Sequence, residues 1–278
     1  MISSHSTDAG LLDVLALEVI EENIFRSSFT FDEKLPLALF GGQVAAQALI
    51  AAGRTVDPAR LAHSLHGYFL RGGDAKLPVV FTVYRDRDGT SFSARRVVAV
   101  QKGAVIFNMA ASFHRQEQGA YEQHVDHPDV PAPEECEPLV LPRLFSVEGR
   151  AVPQPYAHRD IAIPTRFWSR VTAPLGDDPL LHAAALTYVS DVSTGNLPSE
   201  DGEWLSFASI DHAVWFHRPL DLNDWQLSDY HPRTAGGGRG LYNGSIFDHS
   251  GELVATFSQE GVYRSRAVMD RLRAQIGY

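Results

Sequence analysis

The chain has 278 residues, 44 % hydrophobic and 21 % charged, the balance of a folded globular protein rather than a disordered one. Its formal net charge of −10 gives no bulk reason to bind nucleic acid or an anionic membrane, so an anionic ligand would need local Arg or Lys. The single cysteine, Cys136, excludes an intrachain disulfide and a multi-cysteine metal site.

The opening MISSHSTDAG has no basic run ahead of an apolar stretch, and no apolar run reaches bilayer length; the expected location is the cytoplasm. GGQVAAQALIAAG, 41–53, is apolar on nearly all sides, which predicts a buried helix. LHGYFLRGGD, 65–74, reads as a strand and a turn. From Gly89 to Phe113 follow an alternating strand with Arg95 and Arg96, a turn at Gly103 and a second strand. DRDGT, 86–90, supplies hairpin residues.

Between Arg115 and Asp160 lie seven of the sixteen prolines, a density that prevents regular helix or a central strand; this predicts a surface linker. Cys136 falls within it beside glutamates, which would raise rather than lower its pKa. Then the pattern returns. PLLHAAALTYVSD, 179–191, is a second small-residue helix opened by proline. DHAVWFHRPLD, 211–221, repeats the His, the aromatics, the Arg and the Asp of 65–74 about 147 residues later. From Gly236 to Gly261 come Arg239, a strand, the DHSG turn and a last strand. The chain therefore divides into a first unit at 1–115, a linker at 116–160 and a second unit at 161–278, each unit a helix followed by antiparallel strands. The class is α+β.

Three polar residues fall in apolar phases. Asp191 continues the stripe of Leu181, Ala184 and Thr187 or Tyr188 on the second helix. Ser209 shares strand parity with Leu205, Phe207, Ala213 and Trp215, and Gln259 with Leu253, Ala255 and Phe257. Buried polar groups need partners, and mutual pairing satisfies all three; separate satisfaction by backbone is the alternative. A desolvated Asp191 would have a raised pKa, as a general base near neutrality requires. The repeat places Ala111 opposite Gln259, and the first helix ends without an acid, so only the second unit carries this set. Familiar motifs are missing: GTSFS lacks the closing Gly of a nucleophile elbow, and no H-E-x-x-H occurs. His124 and His127 flank Asp126 in an acidic loop; no metal site or cofactor is expected. GGGRG, 236–240, precedes no helix and reads as a strand connection.

The blocks FGGQVAAQALIAAG, HSLHGYFLRGGD, DGTSFSARRVVAVQKG, IDHAVWFHRP and SQEGVYR, in this order, make the chain similar to the acyl-CoA thioesterase II family. The resemblance implies a double hotdog, two antiparallel sheets each wrapped around a long apolar helix, with a hotdog in each unit. It implies hydrolysis of an acyl-CoA thioester, of medium to long chain, by a water that Asp, Thr and Gln position. Asp191 and Gln259 match that set; Ser209 stands where the family has Thr and keeps the hydroxyl. Arg95, Arg96 and Arg239 are the candidate contacts for the CoA phosphates. A homo-oligomer joined through sheet edges is expected, with acyl-CoA as partner and no nucleic acid or membrane. Two other readings stand beside hydrolysis: a hotdog hydratase or dehydratase, and a silent acyl-CoA binder. His66 and His212 fall at equivalent repeat positions, which suggests a structural role for both.

Overall fold

The computed structural model describes residues 3–5, 10–31, 38–156, 164–192, 198–199 and 202–276. In chain order its elements begin β1 (Ser3–His5), α1 (Leu11–Leu15), β2 (Leu17–Glu21), β3 (Ile24–Ser27), β4 (Phe29–Phe31), α2 (Gly41–Gly53), β5 (Arg60–Phe69), β6 (Val80–Asp88), β7 (Phe92–Gln101) and β8 (Ala104–Arg115). They continue β9 (Pro138–Leu139), β10 (Val147–Ala151), β11 (Arg166–Val171), α3 (Pro179–Ser190), β12 (Trp204–Ser209), β13 (Asp211–Phe216), β14 (Gln226–Gly236), β15 (Arg239–Asp248), β16 (Leu253–Ser265) and α4 (Arg266–Ile276).

The two long helices are buried because they have no polar side to offer water. Every residue of α2 from Gly42 to Ala52 is buried, and every residue of α3 from His182 to Ser190. Gln47, the polar residue fully enclosed on α2, donates from Nε2 to the Val14 carbonyl at 2.7 Å. The helices pack on one another, and their side chains join one core with Phe81 and Phe113 of the first half and Tyr230 and Phe257 of the second.

Apart from a short parallel pair of β1 and β4, the strands around this core form one antiparallel sheet, where the sequence pattern suggests two. β5 pairs with β13, Tyr68 opposite Asp211 through Ser64 opposite Trp215, and so welds the halves edge to edge. Outward from that joint the order is β5, β8, β7, β6, β3, β2 on one side and β13, β16, β15, β14, β11, β10 on the other, with β9 beyond and β12 also on β16. The two lists match strand for strand, a pseudo-twofold arrangement. The β5 and β13 edges, which would be unpaired in isolated halves, are thereby covered by one another.

The repeated Asp has a shared local cause. Asp74 Oδ1 accepts from Lys76 N–H at 3.0 Å, and Asp221 Oδ1 from Asn223 N–H at 3.0 Å, the same Asx-type turn written twice. The proline-rich segment is more integrated than its composition suggests. β9 and β10 pair with one another and β10 with β11, at the sheet edge where proline is tolerated. Val130 and Cys136 pack on a small cluster of Val152, Trp168, Trp225, Leu227 and Phe247. Trp168 Nε1 donates to Pro131 O at 3.0 Å. Burial and the adjoining Glu135 push the Cys136 thiol up. The end of the linker reading, 157–160, lies outside the described residues. No helix among the described residues is long and apolar enough to cross a membrane.

Candidate active site

Asp191, Ser209 and Gln259 meet. α3 ends at Ser190, and Asp191 is its C-terminal cap, with φ −90° and ψ 5°, so the chain turns away while the side chain stays inward. Gln259 comes from mid β16, 1 % exposed, on the face that also buries Ala255 and Phe257. Its Nε2 donates to Asp191 Oδ1 at 2.8 Å and also to Ser209 Oγ at the end of β12. Both amide hydrogens are thus used. The Ser209 hydroxyl, an acceptor here, keeps its own proton to donate.

The other side of the carboxylate meets the start of α2. That helix has Phe40 at its N-cap and no side chain capping it. Gly42 N–H donates to the Asp191 carboxylate, so a residue from the end of α3 does for α2 what an N-cap would do. The two glycines are needed for closeness, not conformation. A Cβ on Gly41 would lie 2.7 Å from Asp191 Oδ2, and one on Gly42 would lie 2.6 Å from the Tyr188 carbonyl.

Burial raises the Asp191 pKa above the ordinary carboxylate value, and His212, Gln259, Gly42 N–H and Arg143 each offset part of that rise. His212 is fully buried, and desolvation holds its pKa down. Its Nε2 is 2.8 Å from Ser190 Oγ. Its Nδ1 and the Oε1 of Gln259 are both enclosed without a partner among the described residues, and Gln259 acts on the imidazole as an acceptor. The amide is oriented by its own two donated bonds, with its NH₂ facing Asp191 and Ser209. The electrostatic field at Asp191 also includes Arg143, from the proline-rich segment, whose guanidinium lies over the Phe40 ring at 5.2 Å.

Sequence reading missed His212 and Arg143. His212 had a signal: it shares parity with the buried Val214 and Phe216. The match to His66 obscured it. His66 is half-exposed on the opposite face and bonds Asp211 Oδ2 at 3.1 Å, so the two histidines are not structural equivalents. Arg143 lies in an irregular segment with no periodicity to read. The phase argument for Ser209 holds only in part. Trp215, counted on its face, is 43 % exposed, because the chain is interrupted between β12 and β13 and the alternation restarts there. The Phe207 side chain lies outside the described residues.

The candidate phosphate contacts separate. Arg95 is a correction: it is 2 % exposed and spends its guanidinium on Thr55, Arg87, Ala94 and Asp88, leaving nothing for a ligand. A buried arginine needs such a complete set of acceptors. Arg96 is half-exposed, paired with Asp86 at 3.4 Å and stacked 4.2 Å over Tyr84. Arg239 is exposed and pairs with Glu260 at 3.1 Å. It neighbours Gly240, and Gly240, Gly261 and Ser209 lie on one register line across three strands. His124 is exposed, while His127 packs against Trp168 and Phe247, so the two do not share a site.

Two family descriptions match the chain: acyl-CoA thioesterase N-terminal domain over 32–114 and acyl-CoA thioesterase C-terminal domain over 116–263. Acyl-coenzyme A thioesterase 8 of Homo sapiens is 37 % identical over 282 residues, across 90 % of this chain and 88 % of its own. The crystal structure of an acyl-CoA thioesterase II from Mycobacterium marinum is 41 % identical, with a TM-score of 0.76, over 92 % of this chain and 99 % of that one. A protein with a hot dog fold from Alicyclobacillus acidocaldarius, 20 % identical, has a TM-score of 0.71 over 91 % of this chain and 97 % of that one, a likeness of fold alone.

Proposed function

This chain belongs to the acyl-CoA thioesterase II family, and on that premise we propose that it hydrolyses acyl-CoA to free acid and CoA through a water held by Asp191, Ser209 and Gln259. The observation that carries this reading is the hydrogen-bonded cluster itself, one carboxylate, one hydroxyl and one amide drawn from a helix end and two strands. We read the architecture as two fused hotdogs, 1–115 and 161–278, with 116–160 between them.

In this mechanism Asp191 is the general base. Its raised pKa lets it take a proton near neutrality and return it to the leaving thiolate. Gln259 holds Asp191 and Ser209 in register, and the Ser209 hydroxyl donates to the water. Attack on the thioester carbonyl gives a tetrahedral oxyanion, which collapses by breaking the C–S bond. We assign the oxyanion to the start of α2, where the N-cap residue Phe40 offers no side-chain acceptor and the helix dipole is positive. His212 cannot serve a hydratase as acid or base, because it is enclosed behind the amide and tied to Ser190.

Arg143 and Arg239 are the cations we assign to the CoA phosphates, with Arg96 on the far face as the weaker assignment. Medium- to long-chain acyl groups are the substrate class we favour. The outer strand β2 exposes Val19 and Ile20, an apolar edge suited to joining copies of this chain. A series of acyl-CoAs from acetyl to palmitoyl, read by thiol release, tests the activity and its chain length together. Absence of thiol release from the whole series, with acyl-CoA bound, would leave the silent binder.

A further inference from the structure

The matched strand order gives the candidate active site a counterpart at the opposite end of the helix pair. Laying the start of α2 on the start of α3, Gly41 on Pro179, brings Gly53 to the place of Asp191. The sheet supplies the rest. Ser209 is opposite Gly261 and Ala62 is opposite Phe113; Gln259 is one step past the Ala213–Ser258 pair, and Ala111 is opposite Leu65. Ala62 and Ala111 therefore hold the places of Ser209 and Gln259. At that end the structure contains a pocket of about 250 Å³, walled by Gly53, Val56, Ala62, Phe113, Leu180 and Arg60.

We propose that this pocket is a second, non-hydrolytic site for an acyl chain bearing an oxygen acceptor at its head, as a fatty acid or an acyl thioester does. The inference rests on the acyl-CoA reading above. Three observations point the same way. The positions of base, hydroxyl and amide carry Gly and Ala, so nothing there can activate water. The wall is mostly apolar, which suits an alkyl chain. Arg60 is the third. Its terminal nitrogens are held by Phe92, Ser93, Gly89 and Thr90, and its Nε is enclosed and has no partner among the described residues. Because that Nε is closed off from the pocket as well as from solvent, the head contact is the positive charge that Arg54 and Arg60 bring to the lining. The start of α3 does not compete for the head group, because Asp178 caps it from its own chain, accepting from Leu180 N–H at 2.9 Å and Leu181 N–H at 3.4 Å. Arg54 and Arg60 against Asp178 leave the lining with one net positive charge.

The test titrates the full chain calorimetrically with S-decyl-CoA, a thioether that cannot be hydrolysed, and separately with decanoate. Two equivalents of S-decyl-CoA in the wild type and one in Ala62→Phe are expected. Decanoate binding weakened at least tenfold by Ala62→Phe assigns the pocket to the free acid; loss of the thioether equivalent alone assigns it to the thioester. One equivalent in both proteins, with decanoate indifferent to the substitution, overturns the proposal. Should Ala62→Phe not fold, methyl NMR of the wild type decides: shifts at Ala62, Val56 and Leu180 beyond saturation of the first site support the pocket, and their absence overturns it. Thiol release from decanoyl-CoA reports on the hydrolase reading alone. Two equivalents bound without release would sink that reading and keep this one, whereas release with one equivalent, and decanoate indifferent to Ala62→Phe, would do the reverse.

Discussion

The two ends of the α2–α3 pair have the same scaffold and opposite contents. At one end α2 begins without a cap of its own, and Asp191 from α3 supplies the acceptor. At the other end α3 begins with its own cap, Asp178, and α2 closes on Gly53. An acceptor that comes from the neighbouring helix can be held against a substrate; an acceptor from the preceding residue is committed to folding. The contrast teaches that the carboxylate was not placed by the demands of the helix pair, since the pair is satisfied a second time without one.

Substitutions that remove the chemistry of the occupied end should break the contrast in graded steps. Asp191→Asn has the largest expected effect, a fall in kcat of about a hundredfold or more, read by thiol release. The same substitution should raise the melting temperature at neutral pH. The folded carboxyl binds its proton more tightly than the unfolded one, so the stability it contributes is full below the ordinary carboxylate pKa and is lost as pH rises through the raised value. The gap in melting temperature between variant and wild type should therefore close as the solution is acidified. In the wild type, kcat should rise with pH through a midpoint above the ordinary carboxylate range.

Gln259→Ala, the residue found at position 111, should lower kcat about a hundredfold, since it releases both Asp191 and Ser209. Wild-type turnover in that variant would mean that the amide orders nothing. Ser209→Ala, the residue found at position 62, should cost about tenfold, the worth of one net hydrogen bond. Ser209→Thr should restore the rate to about the wild-type value, because the added methyl narrows the rotamers without removing the hydroxyl. Asp178→Ala sharpens the comparison from the other side. It should cost about 1 kcal/mol of stability by uncapping α3 while kcat stays unchanged; denaturant unfolding and a rate assay on the same sample check both halves.

Much of this arrangement was legible because burial imposes a period. The helix at 41–53 and the hairpins at 86–90 and 248–251 carry local signals, and the structure forms them there. Gln259 was found by the same rule, an amide in phase with Ala255 and Phe257. Asp191 was found although it lies one residue past the helix, because the first turn beyond a helix still inherits its direction. Arg95 shows the rule neglected: it alternates with Val97 and Ala99, both fully buried, and that phase already placed it inside. β9 and β10 were not legible, since an edge strand buried on few sides leaves little alternation and proline is permitted there. The weld between β5 and β13 was not legible either. Nothing in either strand marks which edge its partner will take.

That weld joins segments roughly half the chain apart, and it has a consequence for synthesis. As the first half leaves the ribosome, β5 presents a row of unmatched backbone groups until β13 has been made. During that interval a neighbouring nascent copy can offer the same edge, and the pseudo-twofold geometry makes its β5 a plausible substitute. A variant that slows translation between the halves should therefore shift the yield toward interlocked pairs and aggregates, with no change in the residues that do the chemistry.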